Sequence, residues 1–195
     1  MIHYEEERKT PFETTKKRSG HCATAKKNRM KVEELAIEEN KLYEIVIKIN
    51  NEKPSVENIN KLEEIYSKYN EIHKLYSNVA EENIEALKRG LFIQWYSIAE
   101  PNYLTGINEI DFESKFKILK IIEKNIENLD AELKWMLNYY GIWDYAFEKN
   151  ENLPKLENYI KNVTEENFPK NINRKEMNKR GHRGMYWNSL DVFNK

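Results

Sequence analysis

The stretch LFIQWYSIAEPNYLTGI, residues 91–107, contains a single charged residue, Glu100, in a chain of 195 residues of which 33% are charged. Its first half is apolar around the whole circumference of a helix, a pattern typical of a helix in the centre of a protein. Pro101 should end that helix, because proline lacks a backbone donor and disfavours helical geometry in the residue before it. We therefore expect residues 91–107 to form the buried centre, with Phe92 and Trp95 shielded from water.

Helical periodicity dominates the chain on both sides of this stretch. A stripe of leucine, valine and isoleucine at three- and four-residue spacing predicts a first helix over 32–50. Ser55, Asp111 and Asp130 precede further apolar stripes and are suited to cap helices. The sequence contains no strand-like alternation of useful length. We expect an all-α, single-domain bundle of five or six helices over about 32–165.

Charge is distributed unevenly along the chain. Residues 1–31 carry nine Lys and Arg against four Glu, and residues 170–195 carry seven bases against two acids, so each end has a net charge of +5. The sequence between them has a net charge of −11, which gives −1 for the whole chain. We expect 1–31 to be a disordered basic arm and 166–195 a basic C-terminal extension that ends in an apolar docking segment, since neither offers a full apolar face.

Cysteine content and hydropathy suggest a cytoplasmic protein. Cys22 is the single cysteine, so no disulfide can form within the chain. The first residues lack the apolar run of a signal peptide, and no segment has the eighteen or so apolar residues that a membrane span needs. We expect no membrane association.

The sequence shows no specific metal, cofactor or nucleotide motif. The four histidines are scattered and share no metal-binding spacing: His3, His21, His73 and His182. His73 falls on the apolar stripe of the second helix, which favours a core histidine over a ligand or a base. The Gly-His-Arg-Gly sequence at 181–184 lacks the flanking strand and the third glycine or Lys-Ser/Thr of a phosphate-binding loop. We predict no metal, no cofactor and no catalytic residue.

A polar and tyrosine-containing segment surrounds the end of the apolar helix. Glu100 falls at the helix C-terminus, where its charge opposes the macrodipole, which suggests either a local hydrogen-bonding role or a functional one. Tyrosine-rich polar clusters are also common in interface hot spots and in pockets. The candidate protein-binding or pocket residues are Gln94, Tyr96, Glu100, Tyr103 and Asp111.

The basic C-terminal sequence suggests a second kind of site. It combines cations that can neutralise phosphate with aromatic rings that can stack on bases, although it has no recognisable nucleic-acid-binding motif. The nucleic-acid candidates are Arg174, Lys175, Lys179, Arg180, Arg183, Tyr186 and Trp187.

These features favour a noncatalytic intracellular helical domain that binds another protein through an acidic, tyrosine-rich surface, and that could inhibit or neutralise a basic partner. Two alternatives stay open. In the first, the basic arms grip nucleic-acid phosphate while the acidic body lies outside. In the second, the chain is an enzyme with a pocket around Glu100, which would need another positioned group for acid-base chemistry.

Overall fold

The computed structural model describes residues 17–143, 146–147, 153–162 and 173–190, with side chains from residue 31 onwards. These residues form nine α-helices and no strand, which confirms the all-α prediction. The helices are α1 Lys17–Asn50, α2 Val56–Val79, α3 Ile84–Ala99, α4 Asn102–Thr105, α5 Phe112–Asn125, α6 Ala131–Gly141, α7 Pro154–Lys161, α8 Arg174–Met177 and α9 Gly181–Ser189, with a 3-10 turn at Ile126–Asn128 between α5 and α6. The number exceeds the predicted five or six because α4, α8 and α9 form where loops or irregular chain were expected.

The first helix is longer than predicted. α1 begins at Lys17, so residues 17–31 are helical and not a disordered arm, while residues 1–16 lie outside the described part of the chain. A helix that is already nucleated by its packed half adds further residues at little cost, and Lys, Arg, Ala and Met are good helix formers. The lack of apolar side chains before Val32 therefore did not prevent helix formation.

The predicted caps of the later helices are confirmed. Ser55, Asp111 and Asp130 each accept a hydrogen bond from the backbone N–H three residues later, and so begin α2, α5 and α6. Asn83, which was not predicted as a cap, accepts from two backbone N–H groups at the start of α3. Each cap satisfies donors that the first helical turn leaves without partners.

α3 lies at the centre of the bundle, but the predicted buried stretch 91–107 is only partly buried. Residues 91–95 and 105–107 are buried, whereas Ile98, Glu100, Tyr103 and Leu104 are exposed because the end of α3 and α4 lie at the surface.

The neighbours of α3 include α2, α5 and α9. Phe92 and Trp95 are buried, and the helix ends at Ala99, just before Pro101. The middle of α3, residues 86–95, is therefore buried on every side, whereas both ends of the helix reach the surface.

The C-terminal helix also belongs to the core. α9 packs against α1 and α3, and its residues Arg183 and Trp187 are fully or almost fully buried. This differs from the predicted basic extension over 166–195, although 166–172 and 191–195 lie outside the described residues. The difference arises because Arg180 and Arg183, at the start of α9, pair with the carboxylates of Glu85 and Glu132, a pairing that composition alone does not reveal.

Among the described helices, none is long and apolar enough to cross a membrane.

Candidate functional site

Two arginines from the C-terminal region meet two partly buried glutamates, one on α3 and one on α6. Arg180 places its guanidinium 2.5 Å from Glu85 and 2.7 Å from Glu132. Arg183 reaches the same two carboxylates at 3.0 and 3.1 Å. Glu85 lies on α3 and Glu132 on α6, so this arrangement ties α9 to both helices. We call these four residues, together with Lys88 and Arg89, the ion cluster.

Lys88 and Arg89 extend the ion cluster along α3. The Lys88 ammonium lies 2.5 Å from Asp130 and 2.6 Å from Glu132, while its side chain is almost fully buried. Arg89 Nε donates to Glu85 at 2.8 Å, and Arg89 Nη1 donates to the backbone oxygen of Val32 on α1. Buried charges are costly unless they are paired, so these contacts are a condition for burying the cluster.

The carboxylates of the ion cluster stay ionised at neutral pH. Burial by itself would raise the pKa of Glu85 and Glu132, but the guanidinium groups of Arg183 and Arg180 outweigh it and lower both to about 2. A carboxylate with such a low pKa is a poor general acid or base near pH 7. The ion cluster is therefore better suited to hold helices together than to transfer protons.

A buried glutamate on α1 connects to the ion cluster through a tyrosine. Arg89 Nη1 donates to the Tyr76 hydroxyl, and this hydroxyl donates to Glu39. The other Glu39 oxygen accepts from the backbone N–H of His182 at 3.1 Å. Burial raises the pKa of Glu39 to about 7, despite the nearby charge of Arg89 and the hydrogen bond from Tyr76. That pKa would suit proton transfer, but the side chain is 0% exposed and no substrate can reach it in this conformation.

His182 lies between Glu39 and the aromatic side chains. Its Nδ1 is 3.1 Å from the Tyr69 hydroxyl, which also donates to the backbone oxygen of Glu39. Burial lowers the pKa of His182 to about 3, so its ring is neutral near pH 7. The ring packs on Tyr43 with a centroid separation of 3.9 Å and meets Tyr96 edge-on at 5.1 Å.

Four tyrosines from four helices continue this aromatic packing to the surface. Tyr96 and Tyr186 lie with ring centroids 5.2 Å apart, and the hydroxyls of Tyr186 and Tyr139 are 2.9 Å apart. All are partly exposed. We define the tyrosine face as Tyr43 of α1, Tyr96 of α3, Tyr139 of α6 and Tyr186 of α9.

Buried aromatic rings support the tyrosine face from below. Trp95 stacks on Tyr140 with centroids 4.4 Å apart and planes 9° apart. Trp135 meets Trp187 edge-on at 4.3 Å. Such packing restricts the rotamers of the tyrosines above it, so the tyrosine face is presented on a rigid base.

The predicted protein-binding residues do not all occupy one surface. Tyr96 lies in the tyrosine face, Glu100 is exposed at the end of α3, and Tyr103 is exposed on α4, where its carbonyl accepts from Asn50 of α1. The other two predicted residues, Gln94 and Asp111, contact α5.

Gln94 is buried and donates to the backbone oxygen of Lys115, and Asp111 caps α5. The structure gives these two residues structural roles and leaves Tyr96, Glu100 and Tyr103 at one end of the bundle.

The predicted nucleic-acid residues divide between the interior and the surface. Arg183 and Trp187 are buried in the core, and Arg180 is partly exposed but paired with Glu85 and Glu132, so these side chains are already engaged within the protein. Tyr186 belongs to the tyrosine face.

The other three lie on or next to α8. Arg174 donates to the backbone oxygen of Asn188, Lys179 pairs with Glu176, and Lys175 is exposed. This leaves a much smaller basic surface than the sequence suggested.

Sequence reasoning missed the carboxylates of the site. Glu39, Glu85 and Glu132 each follow an ordinary helical pattern of acids, and their partners lie far away in the chain. The close pair of glycines at 181 and 184 was the one available signal. Gly181 adopts a left-handed φ of 66° against the Glu39 carboxylate, and a Cβ on Gly184 would lie 1.7 Å from the Met177 carbonyl oxygen.

Among the described residues, no group of three or more His, Cys, Asp and Glu side chains is arranged to hold a metal ion. No protein-family model, curated protein or solved structure matches this chain.

Proposed function

We propose that this protein is a noncatalytic binding domain that recognises another protein through the tyrosine face. The observation that supports this most directly is the group of partly exposed tyrosines on four helices. Tyr96, Tyr186 and Tyr139 are joined directly by a ring contact and a hydroxyl pair, and Tyr43 is linked to Tyr96 through the buried ring of His182. Tyrosine combines a large contact area with a polar tip and loses little conformational entropy on binding, so it is enriched in interface hot spots.

We infer a basic partner from the acidic middle of the sequence. Residues 32–169 have a net charge of −11, although the basic residues of 17–31 and 173–190 lie in the same helical bundle. Long-range attraction of this kind accelerates association and selects partners by charge, while desolvated aromatic contacts supply most of the affinity. A domain with this combination would bind and neutralise a cationic protein.

The chemistry of the interior supports a noncatalytic role. Glu85 and Glu132 are ionised and paired, and the Glu39 carboxyl has no exposed surface. Glu100, the carboxylate that the enzyme alternative requires, is exposed at the end of α3. We therefore place recognition at the surface and stability in the ion cluster.

Affinity purification of the full chain from its native cells at moderate salt, with and without nuclease, tests the proposal. We expect a protein partner that is still captured after nuclease treatment. Tyr43→Ala and Tyr96→Ala should each weaken its binding by about 30-fold, as expected for hot-spot tyrosines. Tyr66→Ala, which removes a half-buried tyrosine of α2 outside the tyrosine face, is the matched control. Unfolding curves for all three variants separate lost binding from lost folding.

Two results would overturn the proposal. One is a partner that binds the folded Tyr43 and Tyr96 variants as tightly as the wild type. The other is a captured fraction that disappears with nuclease, which would instead favour nucleic-acid association through exposed cations such as Lys175.

A further inference from the structure

One carboxylate lies beside the tyrosine face. Glu100 is the first residue after α3, four residues beyond Tyr96, and its side chain is exposed. Within the described part of the chain, no hydrogen bond or ion pair engages this carboxylate. The negative end of the helix dipole disfavours an acid at this position, so α3 itself does not compensate the charge of Glu100.

The charge of Glu100 acts on Tyr96. Burial is the main cause that raises the pKa of the Tyr96 hydroxyl, and the neighbouring Tyr43 and Glu100 raise it further. The three groups are therefore close enough to interact, and neither neighbour of Tyr96 is a cation. Near pH 7 the Tyr96 hydroxyl is neutral and lies next to one negative charge.

The rings of Tyr43 and Tyr96 both contact a buried imidazole. His182 packs on Tyr43 with ring centroids 3.9 Å apart and meets Tyr96 edge-on at 5.1 Å. Burial lowers the pKa of His182 to about 3, so its ring adds no positive charge that would repel a cation. The hydroxyls of Tyr43 and Tyr96 form no hydrogen bond with other described residues, which leaves their oxygens available as acceptors.

An exposed aliphatic side chain adjoins these groups on α1. Tyr43, Ile47 and Asn50 recur at helical spacing and therefore share one stripe of this helix. Ile47 is 45% exposed. Asn50 donates from Nδ2 to the backbone oxygen of Tyr103 at 2.8 Å, so the stripe leads from the tyrosine face to α4. It offers apolar surface next to the acceptors of the tyrosine face.

We propose that Tyr43, Tyr96 and Glu100 together bind an arginine side chain of the partner protein. The guanidinium pairs with the Glu100 carboxylate and donates to the tyrosine hydroxyls, while the methylenes of the arginine pack on Ile47 and the tyrosine rings. A guanidinium suits these separate acceptors better than an ammonium, because its five donors form a planar fork and it is less strongly hydrated.

This inference rests on the proposed function, since it names the chemical group by which the tyrosine face recognises a basic partner. We call Tyr43, Tyr96 and Glu100 the arginine site.

NMR titration of the full chain with the peptide acetyl-Gly-Gly-Arg-Gly-Gly-amide tests the arginine site without the native partner. We expect the amide signals of Tyr96 and Glu100 to shift as the peptide binds. The same peptide with citrulline in place of arginine should bind at least about fivefold more weakly, because citrulline keeps the shape of the side chain but lacks its charge.

A pair of glutamate variants tests the electrostatic contact. Glu100→Gln should weaken binding of the arginine peptide, and of the native partner, by about fivefold. The matched control is Glu63→Gln on α2. Glu63 is also exposed beside a partly buried tyrosine, Tyr66, whose pKa is raised by burial and then by the charge of Glu63. This variant should bind the peptide within about 1.5-fold of the wild type, because it removes the same charge outside the tyrosine face.

Three results would overturn the arginine site. The first is equal binding of the arginine and citrulline peptides, or no binding of either. The second is equal weakening by Glu100→Gln and Glu63→Gln, which would mean that the peptide senses only the overall charge of the protein. The third is tighter binding of the corresponding lysine peptide, which would replace the guanidinium by an ammonium.

The failure of this inference can be distinguished from the failure of the proposed function. A native partner that requires Tyr43 and Tyr96 but binds Glu100→Gln as tightly as the wild type would overturn the arginine site alone. A native partner that is insensitive to Tyr43→Ala and Tyr96→Ala would overturn the proposed function, and the inference that rests on it, even if the arginine peptide binds.

Discussion

Arg183, whose side chain is fully buried, donates from Nη2 to both carboxylate oxygens of Glu85 at 3.0 and 3.2 Å, although 98 residues separate the two in the chain. This bifurcated contact joins α9 to α3, the central helix. Paired charges in a low-dielectric interior interact strongly but depend on each other, because removal of one partner leaves the other buried and without compensation.

Arg183→Met should therefore lower the free energy of unfolding by about 3 kcal/mol or more, since methionine keeps much of the volume but leaves Glu85 and Glu132 with fewer cations. Urea unfolding followed by circular dichroism measures this change. Lys175→Ala, at an exposed position of α8, serves as the control and should stay within about 0.5 kcal/mol of the wild type. If Arg183→Met had the same free energy of unfolding as the wild type, the ion cluster would not be what holds α9 in place.

Gly184→Ala should destabilise the protein much more than Gly90→Ala. A Cβ on Gly184 would lie 1.7 Å from the backbone oxygen of Met177, which cannot move without moving α8, so we expect a loss of about 3 kcal/mol or more. A Cβ on Gly90 would lie 2.8 Å from the tip of the Ile118 side chain, which can shift, and alanine favours the helix by about 1 kcal/mol. Similar unfolding midpoints for the two variants would contradict the close packing of α8 and α9.

Glu39 should make the protein less stable as the pH rises from about 4.5 to 7. Burial raises its pKa from 4.5 to about 7, so within this window the folded state holds a proton that the unfolded state releases. The free energy of unfolding therefore falls by about 3 kcal/mol between pH 4.5 and pH 7. Glu39→Gln lacks this titration, so the stability of the wild type relative to this variant should fall by that amount from pH 4.5 to 8. A difference that is independent of pH would show that Glu39 does not titrate in this range.

His73 should make the protein less stable as the pH falls, which is opposite to the effect of Glu39. Burial is the main cause that lowers its pKa to about 4, with a smaller contribution from Lys115 in the same direction and an opposing one from Asp111. The unfolded state takes up a proton near pH 6.5 and the folded state only near pH 4, so stability is lost as the pH falls through this window, by about 3 kcal/mol.

His73→Leu should remove this loss and cost little at pH 7.5, because neither ring nitrogen has a hydrogen-bond partner in the described part of the chain. Unfolding curves at pH 4.5 and 7.5 measure both effects. If His73→Leu loses as much stability as the wild type between pH 7.5 and pH 4.5, groups other than His73 cause that loss.

Hydrogen exchange should show α9 to be as protected as the central helix. Amides of core helices open only with global unfolding, whereas those of a surface extension exchange through local fluctuations. We expect the amides of Tyr186 and Trp187 to exchange with free energies close to those of Phe92 and Ile93 in α3. Fast exchange in α9 alone would mean that this helix undocks from a bundle that remains folded.

The helices and the centre of the fold could be predicted because local chemistry specifies them. Ser55, Asp111 and Asp130 each satisfy donors within one turn of their own position, and the apolar circumference of the first half of residues 91–107 identifies a central helix wherever its neighbours come from. Tyr96 was identified as a candidate because it belongs to the polar, tyrosine-containing segment that surrounds the end of this helix.

The ion cluster and the tyrosine face were decided by tertiary structure. Arg183 reads as a solvated phosphate-binding residue from composition, and only the approach of α3 and α6 provides Glu85 and Glu132 to bury it. Tyr43, Tyr139 and Tyr186 become neighbours only when α1, α6 and α9 meet around α3. Helical periodicity is a local property of the chain, whereas the partner of a buried charge is fixed by which distant helices pack together, because burial makes pairing obligatory without specifying the partner.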